Sequence, residues 1–407
     1  MITGAGVISS LADSPEGLHE ALCEGRSGLK ALELFAVDHL GGGLGPQQAG
    51  EVRPFEPKRY LGDRNLRPVD RTAQLLLAAA QQALEGSGWT PGLRKEREVG
   101  LVLGTNFCSV RTIAEFDRRG LQLGPSYVSP LDFANSVINA AAGQTAIWHG
   151  LRGVNSTLSA GEASGLMAIA TAADLIRTGR ADALLAGGAE EICYESFLGY
   201  HRAGRLGEGS PVPFDARRDG FALGEGAALL MLEEAESAAA RGARVLGEVL
   251  GSGSTFNPSD TMADGKALAR AIRLALEDAG VEPGEIGCLS ASANGSIEAD
   301  RQEALGIAAA FGARAADLPV TAVKSMLGEA IGASGALQAV ALLHTLEDGR
   351  LPGIRGLEST EEAFPLSGVS AETRTFNDLR VGLIDAVGSA GHVCTLILAG
   401  GNHAERA

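Results

Sequence analysis

Residues 161–191 read GEASGLMAIATAADLIRTGRADALLAGGAEE. The first twenty, 161–180, predict a long helix with small residues on one face. The rest, 181–191, predict a short buried strand ending in glycines. Segment 160–173 carries almost no charge beyond Glu162, which marks a central helix buried among other layers. The same helix–strand grammar recurs on either side. VGLVLGT (99–105) predicts a strand, and GAALLMLEEAESAAARG (226–242) a strand running into a helix. LARAIRLALEDAG (268–280) predicts a helix, and GEIGCLSASANG (284–295) a strand and loop. VGLIDAVG (381–388) and HVCTLILAGG (392–401) predict two closing strands. This alternation is the signature of layered α/β architecture.

An internal echo accompanies it. ALEGSG (83–88), a loop and VGLVLGT resemble ALEDAG (275–280), a loop and GEIGCLSASA, an offset of 275 − 83 = 192 residues. Each copy reads as a helix stopped by glycine and followed by a strand. Two similar α/β halves are expected, over 1–243 and 244–407.

Composition narrows the functional class. The 407 residues are 45% hydrophobic and 21% charged, an ordinary globular balance, yet hold 56 glycines and only 18 aromatics (12 Phe, 4 Tyr, 2 Trp). Such small side chains suit close backbone packing. The net charge of −16 argues against nucleic-acid binding. No apolar run reaches the ~18 residues of a membrane span, and the start, MITGAGVISS, lacks a basic region before its apolar stretch and reads as a strand, not a signal peptide. Five scattered cysteines (Cys23, Cys108, Cys193, Cys288, Cys394) form no CxxC and no metal-ligand spacing, so a reducing, cytoplasmic setting is expected.

Four patterns carry a family resemblance. PFDARRDGFALGEGAALLMLEE (213–234) resembles the ketosynthase stretch "DGFVLGEGAG". TAVKSMLGEAIGASGALQAV (321–340) resembles "TKSMTGHxxGAAG". STLSAGEASGLMAI (156–169) resembles the strand–turn–helix elbow that bears the nucleophile, and DAVGSAGHV (385–393) stands where the family has its "GFGGTN" loop. Order and spacing fit essentially the whole chain, which thus resembles a β-ketoacyl synthase of the thiolase superfamily. The resemblance implies a thiolase-like fold, two duplicated halves in a five-layered αβαβα sandwich, dimerising through the strand before the elbow. It implies no cofactor and no metal.

The family's decarboxylative Claisen condensation needs a thiolate at a helix N-terminus and two imidazoles to stabilise an enolate. By resemblance, the nucleophile position is Glu162, the first imidazole position Asn294 (SANGS) and the second Glu329 (LGEAIG), while the family lysine is kept as Lys324. Ser389 replaces a gating Phe. No cysteine compensates: Cys193 is assigned to the strand after the elbow helix and Cys108 lies far upstream. His149 (IWHGLRG) falls in a dimer-side turn by resemblance, leaving His392 as the imidazole nearest the old pocket. Lys324 is placed to pair with Glu162 or with Glu329.

Loss of all three groups on an intact scaffold resembles the inactive subunit of type II polyketide synthases, the chain length factor or ketosynthase β. That resemblance implies a heterodimer with a catalytic ketosynthase, an acyl carrier protein bearing the growing chain, and a role in shaping the polyketide tunnel. Most such subunits carry Gln where this chain has Glu162, so no malonyl decarboxylation is expected. The tunnel region corresponds to NFCSVRTIAEFDRRG (106–120), where Ser109, Thr112, Ile113 and Phe116 are candidates. SPLDFANSVINAAAGQTAI (129–147) corresponds to the interface and offers Phe133. A different class of function remains open: an enzyme using Glu162, Asn294 and Glu329 as acid/base groups or metal ligands.

Overall fold

The computed structural model describes residues 1–37, 47–63, 66–257, 264–361, 364 and 366–401. Ten strands build the main sheet: β1 (Ile2–Ser9), β2 (Gly100–Gly104), β3 (Asn155–Leu158), β4 (Ala183–Glu190), β5 (Gly226–Glu233), β6 (Gly247–Phe256), β7 (Cys288–Ser290), β8 (Val320–Thr321), β9 (Val381–Val387) and β10 (His392–Gly400). The spatial order is β8-β7-β9-β10-β6-β1-β5-β4-β2-β3.

That order contains the duplication. Within the first five strands the order is β1-β5-β4-β2-β3, and within the second five β6-β10-β9-β7-β8. Directions repeat as well. The first strand of each half pairs antiparallel with the fifth, and the fifth antiparallel with the fourth. The fourth pairs parallel with the second, and the second parallel with the third. The strand ladder between the two half-sheets is a single residue pair, Ile2 with Gly247, and the central helices join the halves more extensively.

The helices that matter here are α1 (Pro15–Cys23), α2 (Arg71–Gly86), α3 (Val110–Leu123), α4 (Ala140–His149), α5 (Ser164–Arg177), α6 (Tyr194–Arg202), α7 (Lys266–Ala279), α8 (Ile297–Phe311) and α9 (Ser334–Asp348). Alternation along the strands sorts them into layers. Leu101, Leu103, Leu229 and Met231 face outward onto α2 and α4. Val102, Leu230, Leu232, Ile384 and Leu396 face inward onto α5 and α9. Leu289, Leu383 and Ile397 face the other outer layer, α7 and α8. Helices, half-sheet, central helices, half-sheet and helices make five layers.

The central pair explains the glycine content. Helix α9 is apolar nearly all round, with residues Ser334 to Val340 all buried. It touches α5 so closely that a Cβ on Gly165 would lie 2.5 Å from the Gly332 carbonyl oxygen, and one on Gly335 2.8 Å from the Leu166 Cβ. Such contact requires bare backbone.

Two expectations are corrected, and the place of His149 is fixed. The elbow helix starts at Ser164, because residues 159–163 form the turn that aims Glu162. Cys193 is not on a strand: β4 ends at Glu190 and Cys193 caps α6. His149 turns inward at the end of α4, 5% exposed, with Nε2 3.2 Å from the Leu77 carbonyl oxygen. Among the described residues, no helix is long and apolar enough to cross a membrane.

Candidate functional site

Strand β3 leads into the elbow, where Gly161 takes φ +60°, a conformation L side chains rarely adopt. The Ser164 hydroxyl accepts from the Ala160 N–H (2.8 Å) and donates to the Gly161 carbonyl (2.6 Å), closing the turn. Glu162 is thereby set just ahead of α5, whose N-terminal backbone favours an anion. Its Oε2 accepts from the Ser389 N–H (3.0 Å) and hydroxyl (3.3 Å). No other hydrogen bond reaches this carboxylate from the described residues, although Glu162 is only 5% exposed.

Glu329, fully buried, has the opposite setting. Its Oε2 accepts from Lys324 Nζ (2.8 Å) and Asn294 Nδ2 (2.8 Å), and its Oε1 from the Ile331 N–H (3.0 Å) and Ser334 hydroxyl (2.6 Å). Lys324 also donates to the Ser292 hydroxyl at 3.2 Å. Lys324 therefore pairs with Glu329, not with Glu162, and the Asn294 amide points at that pair.

Buried acids that the sequence reading missed hold this floor in place. Asp300 accepts from the backbone N–H groups of Phe214 (2.9 Å), Asn294 (3.0 Å) and Gly295 (3.1 Å), fixing the loop that presents Asn294. Burial lifts its carboxyl to about 6. The Ser292 N–H is shared between Glu303 (2.7 Å) and Asp385 (2.8 Å). Burial and their mutual repulsion raise Glu303 well above the usual carboxylate range, and burial lifts Asp385 to about 6. Glu190, at the end of β4, accepts from the N–H groups of Asn106 (2.7 Å), Phe107 (2.9 Å) and Cys108 (2.8 Å) and so shapes the loop before α3. The sequence signal was present: acids three apart in ADRQE (299–303), and an acid closing an apolar strand. Tyr200 was missed too; its ring meets Phe221 at 5.3 Å and Phe107 at 6.0 Å, and burial together with Glu162, Glu329 and Glu190 raises its hydroxyl pKa.

A cavity of about 370 Å³ opens above Glu162, lined by Asn294, Ser389, Phe221, Ile297, Val387 and, at the rim, Arg205, Asp219 and Glu298. It brings Glu162 and Asn294 together, with Glu329 and Lys324 beneath. His392 is not in its lining and packs edge-on against Phe256 at 5.0 Å. No thiol is poised as a nucleophile: burial pushes Cys23 and Cys193 up to about 11 and Cys108, Cys288 and Cys394 up to about 12. Among the described residues, no group of three or more His, Cys, Asp or Glu side chains is arranged to hold a metal ion.

The five tunnel candidates lie apart from this cavity. Ser109 precedes α3, is buried, and donates to the Val137 carbonyl oxygen at 3.3 Å. Thr112 and Phe116 are half-buried on α3 and Ile113 is exposed. Phe116 and Phe133 meet ring to ring at 6.1 Å. Around them, Leu121, Leu123, Tyr127, Leu131, Phe133 and Ile147 are all exposed, an apolar surface on the half whose sheet ends in the half-covered edge strand β3.

Residues 1–238 match the family described as β-ketoacyl synthase, N-terminal domain, and residues 245–358 its C-terminal domain. Over 408 residues the chain is 31% identical to 3-oxoacyl-[acyl-carrier-protein] synthase 2 of Vibrio cholerae, covering 98% of each. Among solved structures it resembles the ishigamide ketosynthase/chain length factor, with TM-score 0.91, 33% identity and 98% of each chain covered. It also resembles a chain in the structure of a type II PKS acyl-carrier protein in complex with its ketosynthase bound to the hexaketide, with TM-score 0.88, 25% identity and 98% of each chain covered.

Proposed function

The chain belongs to the β-ketoacyl synthase family, and on that footing we propose that it is a non-catalytic chain length factor, pairing with a cysteine-bearing ketosynthase and shaping the tunnel into which the polyketide grows. One observation carries this reading: among the described residues, the cavity lining holds neither a thiol to accept an acyl chain nor an imidazole to steady an enolate. Glu162 stands where a thiolate would carry the chain. Both oxygens of Glu329 are consumed by Lys324, Asn294, Ser334 and the Ile331 N–H, and Asn294 spends one of its two amide N–H groups there, leaving at most a single neutral donor where the family places an imidazole. The likeness to a ketosynthase/chain length factor structure supports the same reading.

The exposed apolar surface around α3, in the half that also carries the edge strand β3, supports a permanent partner. Leu121, Leu123, Tyr127, Leu131 and Phe133, exposed around the Phe116–Phe133 contact, form an apolar patch of the kind that marks a protein interface, and an unpaired edge strand favours pairing with another sheet. Ser109, Thr112, Ile113, Phe116 and Phe133 then act at that interface as tunnel residues, and an acyl carrier protein brings the growing chain. The two halves divide between Ala243 and Arg244. Acid/base chemistry by Glu162, Asn294 and Glu329 together is the less favoured reading, since only Glu162 keeps an uncommitted oxygen.

Co-expression with a cysteine-bearing ketosynthase and a carrier protein tests the proposal. The chain is expected to co-elute with the ketosynthase in equal amounts and to catalyse no condensation alone; condensation by the chain alone, or failure to assemble, overturns it. In the assembled complex, Phe116→Ala is expected to lengthen the product and Ser109→Phe to shorten it, read by mass spectrometry. An unchanged product spectrum from both variants removes the tunnel assignment.

A further inference from the structure

We propose that the cavity above Glu162 is a charge-selective site: it admits an uncharged thiol- or thioester-ended arm and turns away one ending in a carboxylate. The inference rests on the preceding reading for its class of ligand, and adds which member of that class this chain accepts. Glu162 is 5% exposed, and both of its hydrogen bonds fall on Oε2, from Ser389. Oε1 is left as an open acceptor at the base of a cavity of about 370 Å³, within the size range of small-ligand sites. A mostly buried carboxylate whose one unused oxygen opens only onto the cavity favours a donor placed against it.

The cations that could welcome a second carboxylate are elsewhere. Lys324 is committed to Glu329 and Ser292 below the floor. The Asn294 amide donates to Glu329. Of the lining side chains, Arg205 alone is cationic, and it is exposed at the rim with Asp219 and Glu298. An entering malonyl carboxylate therefore meets Glu162 in a half-enclosed site without a counter-charge at that depth, where Coulomb repulsion is poorly screened. A thiol S–H or an amide N–H meets an acceptor, while Phe221, Ile297 and Val387 offer apolar wall to its stem. No bond forms or breaks; the site selects by charge.

Titration calorimetry on the chain alone tests this with three probes: N-acetylcysteamine as the free thiol, its acetyl thioester and its malonyl thioester. The thiol and the acetyl thioester are expected to bind, and the malonyl thioester at least about tenfold more weakly. Glu162→Gln, nearly isosteric, is expected to close that gap to within about threefold, and Glu162→Asp to keep it. Equal or tighter malonyl binding by the parent chain overturns the proposal. So does a gap that survives Glu162→Gln, or no binding of the free thiol at millimolar concentration. Co-elution with a ketosynthase is scored separately. Lost charge selection with intact assembly defeats this inference alone, and failed assembly with intact charge selection defeats the chain-length reading alone.

Discussion

The two entrances to the central helices are built alike and filled differently. At α5 the Ala160 N–H donates to the Ser164 hydroxyl at 2.8 Å; at α9, 170 residues later, the Ala330 N–H donates to the Ser334 hydroxyl at 2.9 Å. Each helix thus starts from the same backbone clasp, and each entrance holds a glutamate. Glu329 is enclosed by four donors, one of them a lysine, and is fully buried. Among the described residues, Glu162 has one hydrogen-bond partner for its carboxylate, Ser389, and its other oxygen faces a cavity. The same residue type is therefore a fastening in one half and an open acceptor in the other. What separates them is the supply of donors, not the helix end.

The sharpest way to break this comparison is Glu329→Ala. It strands Lys324, itself 2% exposed, as a buried charge without its partner. Removing one member of a buried pair typically costs ~3–5 kcal/mol, and a loss of that size is expected in urea unfolding. A loss below about 1 kcal/mol would mean that the pair does not fasten the floor. Replacing both Lys324 and Glu329 with apolar residues of similar volume is expected to recover much of the loss, because the penalty belongs to the orphaned charge.

The acids under Lys324 sharpen the contrast through pH. Burial raises Asp300 and Asp385 to about 6 and Glu303 higher than its ordinary value. A raised folded-state pKa means the native chain holds the proton more tightly than the unfolded one. The resulting stability is fully present below the unfolded values near 4 and is lost as pH rises, through about 6 for Asp300 and Asp385. Glu303→Gln mimics the protonated acid at every pH. Its stability relative to the parent chain, read by urea unfolding, is therefore expected to improve steadily as pH rises from about 4.5 to 7.5. A difference independent of pH would show that Glu303 is ionised throughout.

How far the sequence could be read follows from the same residues. Strands with continuous apolar runs, such as β2, β4 and β10, were legible, and the helix–glycine–strand echo announced the duplication. Strand β6, GEVLGSGSTF, was not: its glycines and serines argue for a loop, yet Gly251 and Gly253 lie where a Cβ would strike Ala279 and Ala271 of α7, so tertiary packing overrode local propensity. At the site, Glu162, Asn294 and Glu329 were found by their place in motifs. The choice of partner for Lys324 was not readable, since both glutamates fit by type and only the fold brings Glu329 within 2.8 Å. Asp300, Glu303 and Glu190 were hidden for a related reason: an acid on a helix or strand reads as solvated until the backbone N–H groups that satisfy it are in view.

The smallest effect belongs to Glu162, and its smallness is the test. If Glu162 were a second fastening, Glu162→Gln would destabilise the chain on the scale of Glu329→Ala. In the structure the only bonds at stake join it to Ser389, on the exposed loop between β9 and β10, and the amide keeps a carbonyl oxygen able to accept them. What is lost is the charge ahead of α5, a helix-end effect of ~0.3–1 kcal/mol; what is gained is relief from holding an ion out of water. The two oppose, so the change in urea midpoint is expected to correspond to less than about 1 kcal/mol. A loss several times larger would place an unseen partner on Oε1 and close the distinction between the two entrances. A near-neutral result leaves Glu162 as a carboxylate that the fold does not need, which is the condition under which its charge is free to act on a ligand.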